Sequence, residues 1–194
     1  MQHDGYILIP VNSYLAWKTS TNGNGYNVDG AYGDQCWDFV AEFWYNNGFP
    51  QGYPTLAGTG GARGMWYDRV QNAGTKFDLI YNLADVKQGD VLVYDQFPGN
   101  EWGHTGFADQ DYDTWIADHP GEYEFPILSQ NNQGIPYPPG GSFVNIKGYD
   151  TRLFLGAFRL KAWTPTPPPT PTPNLERKRF PWVLYANKLR SKNM

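Results

Sequence analysis

Thr164-Pro165-Thr166-Pro167-Pro168-Pro169-Thr170-Pro171-Thr172-Pro173 limits this chain more than any other stretch. Proline fixes φ and removes a backbone donor, so neither a helix nor a sheet ladder runs through such a repeat. It is an extended spacer, rising about 3.1 Å per residue. Any packed core must therefore be built before it, and the sequence divides into a domain over 1–163, a Pro/Thr-rich linker over 164–173 and a tail over 174–194. The chain has 194 residues, 40% hydrophobic and 17% aromatic, which supplies one good core and not two. With 22 glycines and 16 prolines, that core is expected to be a loop-rich α+β domain.

Charge follows the same division. Residues 1–163 carry nine Lys and Arg against eighteen Asp and Glu, a net of −9; residues 174–194 carry six basic residues against Glu176, a net of +5. An acidic body argues against nucleic acid as a partner and suits a protein that binds cations. The tail is too short to fold alone. Its Phe180-Pro181-Trp182-Val183-Leu184-Tyr185 run among basic residues reads as a docking peptide for an anionic partner, such as an anionic polymer, lipid or an acidic protein face; a disordered remnant is the alternative. The start, Met1-Gln2-His3-Asp4-Gly5, has no basic n-region, and Tyr6-Ile7-Leu8-Ile9 is too short for a signal h-region. No run of ~18 apolar residues exists, so no membrane span is expected.

The chemistry concentrates around the single cysteine, which leaves no internal disulfide framework. Cys36, Phe39, Val40, Phe43 and Trp44 fall at i, i+3, i+4, i+7 and i+8, one face of a helix. Asp34 is a candidate N-cap, and Gly48 followed by Pro50 is a candidate stop. Cys36 then lies in the first turn, where N–H groups without intrahelical partners and the helix dipole favour a thiolate. In such settings a thiol pKa falls from ~8.5 to roughly 3.5–7.5. From the helix alone, a small buried hydrophobe is an equal alternative. Upstream, Asn27, Asp29, Ala31 and Gly33 alternate, and Asp38 follows one helical turn into the helix. Side-chain oxygens of Asn27, Asp29 and Asp38 with carbonyls of Ala31 and Gly33 suit calcium; an Asx-rich turn leading into a cap needs no metal.

Downstream, Trp102-Gly103-His104-Thr105-Gly106-Phe107-Ala108 reads as a strand with His104, Gly106 and Ala108 on one face. That face leaves room for substrate or for the helix carrying Cys36. The order Asp29-Gly30, Gln35-Cys36-Trp37-Asp38, Gly89-Asp90 before an apolar strand, Trp102-Gly103-His104-Thr105-Gly106 and Ile127-Leu128-Ser129-Gln130-Asn131 resembles CHAP domains. These are papain-like cysteine peptidases or amidases related to the NlpC/P60 group, common in bacteriophage lysins. The resemblance covers about residues 5–163. It implies a papain-like fold, with N-terminal helices packed on an antiparallel sheet. It further implies Cys36 as nucleophile, His104 as base and Gln35 in the oxyanion hole, with structural calcium at Asn27, Asp29, Ala31, Gly33 and Asp38. Where many phage members carry a glutamate, this chain has Ser129. The third catalytic member is then Asn131, as in Cys-His-Asn sites, ahead of Ser129.

The expected function is a cysteine-dependent peptidoglycan hydrolase, an endopeptidase or N-acetylmuramoyl-L-alanine amidase. It would be phage-encoded, either an endolysin held in the host cytoplasm before lysis or a virion-associated lysin. Trp37 and Trp102 are candidates to stack on substrate. The competing class is a non-catalytic wall-binding or virion structural module that keeps the fold. Among the other elements, the sequence predicts a first helix over 10–18 capped by Asn12 or Ser13, one helix over 62–73, and strands at 91–94, 115–118, 124–131 and 153–160. Trp66 is either a groove residue or core, His119 is a surface residue, Gly58-Thr59-Gly60-Gly61 lacks the ending of a phosphate loop, and 134–141 is a possible cleft rim.

Overall fold

A computed structural model describes residues 13–31, 33–131 and 143–163. The linker and tail over 164–194, the proposed rim at 134–141 and the segment preceding Ser13 lie outside the described residues. The helices are α1 (Tyr14–Thr21), α2 (Cys36–Asn46), α3 (Gly64–Tyr67), α4 (Arg69–Ala73) and α5 (Tyr112–Asp118). The strands are β1 (Phe77–Ile80), β2 (Val91–Tyr94), β3 (His104–Ala108), β4 (Glu124–Ser129), β5 (Asn145–Asp150) and β6 (Phe154–Leu160). The six strands form one sheet in the order β1-β6-β2-β3-β4-β5, every pairing antiparallel. The expected α+β class, helices on an antiparallel sheet, is what the chain adopts.

Side-chain alternation along β2 and β3 sets the two layers. Val91 and Val93 pair with Phe107 and Thr105, and Val91, Val93 and Phe107 face the helical layer. There Phe107 receives Phe39 and Phe43 of α2, with ring centroids 5.1 and 4.9 Å away, both edge-on. Trp17 of α1 stacks on Phe39 at 5.5 Å. Leu92, Tyr94 and Ala108 face the other way, into a second cluster with Trp115 of α5 and Phe125 and Ile127 of β4.

This corrects one expectation. The helix carrying Cys36 does not lie on the His104, Gly106 and Ala108 face; it lies on the opposite one. The physical reason is Phe107, the large apolar side chain of β3 and the natural floor for an aromatic helix stripe. Further differences are local. The first helix is shifted to Tyr14–Thr21, with Ser13 Oγ accepting the Ala16 N–H at 3.2 Å. The helix expected over 62–73 is two, broken where Asp68 leaves helical geometry and accepts from the Thr55 hydroxyl and the Ala57 N–H at 2.7 and 2.9 Å. Residues 115–118 are helix rather than strand, and Trp115 packs on Phe125. Strand β4 ends at Ser129, so Asn131 lies beyond it, at φ 56. Trp66 is core: it fills the space over Gly156, where an added Cβ would come within 2.1 Å of its ring.

Candidate active site

Cys36 is the first residue of α2, and the residue before it, Gln35, rather than Asp34, is the N-cap. The cap is built from the helix side. Asp38 is buried, and its carboxylate accepts the N–H groups of Val28 (2.8 Å), Asp29 (3.2 Å) and Gln35 (3.0 Å). The acidic residue in the first turn therefore ties the preceding loop to the helix start, as a carboxylate there is expected to. Burial, opposed by those N–H groups and reinforced by the charge of Asp29, pushes Asp38 up to about 6.

A second tie comes from the sheet. Gln130 follows β4 and is fully buried. Its Oε1 accepts the Tyr26 N–H at 2.7 Å, and its Nε2 donates to the carbonyls of Tyr26 (2.6 Å) and Gln35 (2.9 Å). Asn131 donates to Gln35 Oε1 at 3.4 Å. Ser129 Oγ donates to the carbonyl of Thr105 at 2.5 Å. The three consecutive polar residues after the apolar part of β4 thus reach both the cysteine loop and β3. Gln130 is the residue that the sequence reading missed. The sequence signal was present, since it stands inside the Ile127-to-Asn131 motif, but its partners lie about a hundred positions away.

His104 opens β3. Gly103 before it sits at φ 72, and an added Cβ there would come within 2.4 Å of the Tyr94 carbonyl, so the turn that presents His104 requires glycine. At Gly106 an added Cβ would meet Ser129 Cβ at 2.6 Å; its absence lets β4 close on β3. The Cys36 sulfur reaches the same place from the helix side. The backbone N–H of Thr105, adjacent to His104, and those of Trp37 and Cys36 itself face it and favour the thiolate. Burial acts first and in the opposite direction, helped by the charge of Asp38, and pushes the thiol up to about 11. The lowering expected from a helix N-terminus is therefore present but outweighed by desolvation. His104 is 3% exposed, and its ring stacks on Tyr149.

The structure thus gathers Cys36, Gln35, His104, Ser129 and Asn131 around the junction of α2, β3 and the end of β4. The two candidate substrate aromatics differ. Trp37 is anchored by its indole N–H to the Pro54 carbonyl at 2.8 Å and packs against the core. Trp102 is 59% exposed and stands in the turn before His104, over Gly60 and Gly61. His119 is structural: Nδ1 lies 2.9 Å from the Trp115 carbonyl, and the ring stacks on Trp115.

For calcium, the test is the donor set. Asp29 and Asp38 are close enough for their charges to oppose one another, and among the described residues neither makes an ion pair. Asp29 Oδ1 accepts the Ala31 N–H at 2.7 Å. Asp29 in the loop and Asp38 in the first turn of α2 bring two carboxylates near each other, as a hard cation requires, although the Asp38 oxygens already accept three backbone N–H groups. No convergence of three or more His, Cys, Asp or Glu side chains occurs among the described residues, so carbonyls and Asn27 would complete the shell.

Comparison with known proteins bears on this geometry. The family model for the CHAP domain matches residues 21–118. A protein of Streptococcus phage B30, named D-alanyl-L-alanine endopeptidase, is 33% identical over 101 residues. That alignment covers 51% of this chain and 22% of the phage protein, so the chain spans about a fifth of that relative's length. The crystal structure of the wild-type endolysin LysIME-EF1 aligns with a TM-score of 0.55 at 23% identity, covering 78% of this chain and 64% of that one. At that identity the likeness concerns the fold.

Proposed function

Because this chain belongs to the CHAP domain family, we propose that it is a cysteine-dependent hydrolase of amide bonds in bacterial peptidoglycan. The observation that carries the reading is the approach of the Cys36 sulfur to the N–H of Thr105, beside His104. That approach brings nucleophile and base to one junction from two layers of the fold.

In the proposed reaction the amide carbonyl carbon is attacked by Cys36 Sγ as its proton passes to His104. Burial pushes the thiol of the half-buried Cys36 up to about 11, which favours a base that takes the proton during attack. The oxyanion is held by the Cys36 N–H and the Gln35 amide, whose oxygen end is engaged by Asn131. The imidazolium then protonates the leaving amine. Water, deprotonated by His104, hydrolyses the thioester. Asn131, ahead of Ser129, is assigned as the third catalytic member, while Ser129 braces the strand carrying His104 through the Thr105 carbonyl. Trp102 is the aromatic available to stack on glycan or stem peptide. A calcium ion, bound by Asn27, Asp29, Asp38 and the carbonyls of Ala31 and Gly33, would pin the loop before the nucleophile.

The named activity of the phage B30 relative favours an endopeptidase over an amidase. We assign the chain to the lysins that act at the bacterial wall, as endolysin or virion-associated enzyme, with the basic tail as a docking segment for a virion protein or wall polymer. One observation favours a rival: a 3% exposed His104 and a desolvated thiol suit a binding module that keeps the fold.

Mass spectrometry of fragments released from purified streptococcal sacculi separates these readings. An endopeptidase leaves new free amine and carboxyl termini within the peptide part. An amidase separates N-acetylmuramic acid from L-alanine. Binding to sacculi with no fragment released would overturn the hydrolase reading in favour of the module.

A further inference from the structure

His104 belongs to a cluster of three rings, in which it stacks on Tyr149 and Tyr149 meets Tyr94 at a tilt. Tyr94 is its direct partner across β2–β3 and is fully buried. Tyr149 comes from β5, two strands beyond β3 in the sheet order, and reaches back over β4 to the His104 ring. Its ring lies nearly parallel to the imidazole, with centroids 4.5 Å apart and planes at 14°, and packs on Tyr94 at 4.6 Å. The Cys36 charge is also felt by Tyr149, whose ring packs directly on His104. Among the described residues the buried Tyr94 hydroxyl has no hydrogen-bond partner, and the Asn100 side chain lies toward the Tyr149 hydroxyl.

The second torsion of a histidine is a broad one, so the plane of its ring is set by whatever packs on its face. A general base misaligned by a small rotation loses much of its effect. We propose that Tyr149 is a positioning residue for His104: its ring, not its hydroxyl, holds the imidazole plane so that one nitrogen stays directed at the Cys36 thiol. This rests on the reading of His104 as the base.

The test compares wild type with Tyr149→Phe, Tyr149→Leu and His104→Ala in the full chain. Turnover is read on dye-labelled streptococcal sacculi, alkylation of Cys36 by iodoacetamide at pH 7.5, and unfolding by calorimetry. Cys36 is the only cysteine, so the label is unambiguous. Tyr149→Phe is expected to match wild type in turnover and alkylation, with Tm unchanged or raised. Tyr149→Leu is expected to lose about 10- to 100-fold in kcat with KM within about twofold, and to be alkylated correspondingly more slowly, while still folded. Should the leucine variant fail to fold, Tyr149→Met is scored in its place. Loss of turnover in Tyr149→Phe as large as in Tyr149→Leu overturns the proposal, and so does full turnover in Tyr149→Leu. If His104→Ala retains full turnover, the base assignment itself fails; if it is inactive while Tyr149→Leu is not, only the positioning role fails.

Discussion

Gln130 carries no charge and no exposed surface, yet it fixes the backbone on both sides of the loop that delivers Cys36. Replacing it by leucine would leave the Tyr26 N–H and the Tyr26 and Gln35 carbonyls without their partner in a buried place. The expected cost is about 1–3 kcal/mol of stability, seen as a fall of several degrees in Tm, with reduced turnover because Gln35 shifts with its carbonyl. Calorimetry with a sacculus assay checks both, and an unchanged Tm would remove Gln130 from the account. Gly103→Ala tests the other side of the junction: φ 72 and contact with the Tyr94 carbonyl forbid a Cβ, so Tm falls and His104 is displaced with loss of activity. At this scale the reactive residues were legible because their types are chemically distinctive. A lone cysteine, a histidine between glycines and an Ile-Leu-x-Gln-Asn run stand out in any sequence. Gln130 and Tyr149 did not, because a buried amide and a ring in an exposed strand show their roles only through long-range partners. The thiol's environment is less legible for a related reason: helix position is local and readable, whereas desolvation depends on everything packed around the sulfur.

At the scale of elements, the aromatic wedge between α2 and β3 holds the site together. Phe107 supports Phe39, Phe43 and Trp17 at once. Phe107→Ala is expected to cost about 3–5 kcal/mol and to abolish activity through unfolding rather than chemistry, which chemical denaturation would distinguish. The helix stripe from Cys36 to Trp44 was readable because its period is long and its residues large. Which face of β3 it would cover was not, since alternation defines two faces without saying which one a helix will choose. Residues 115–118 are too few to separate a strand from a helix turn by pattern; the packing of Trp115 on Phe125 decides for α5. Strand β5 is an exposed edge with the sequence Asn-Ile-Lys-Gly-Tyr-Asp, which has no apolar alternation to announce it. Yet it brings Tyr149 to His104.

Across the whole molecule, the proposal that the neighbouring carboxylates of Asp29 and Asp38 help hold a cation is open to a direct test. Calcium at millimolar concentration is expected to raise the Tm, by an amount that grows with the ratio of calcium to its Kd, and EDTA to reverse it. Asp29→Ala is expected to weaken that response while leaving the fold intact, because Asp29 is exposed. A Tm indifferent to calcium would leave the Asp38 carboxylate as a purely structural cap. No helix among the described residues is long and apolar enough to cross a membrane. The α+β class was legible from the composition and the antiparallel sheet from the motif order, which resembles one family. The central claim is that one sulfur, assisted by His104, cleaves the wall polymer. It is tested most directly by release of soluble fragments from purified sacculi by wild type and by Cys36→Ala, both shown folded by circular dichroism. The prediction is release by wild type and a loss of about 10³-fold or more in the variant; equal release by the two proteins would contradict it.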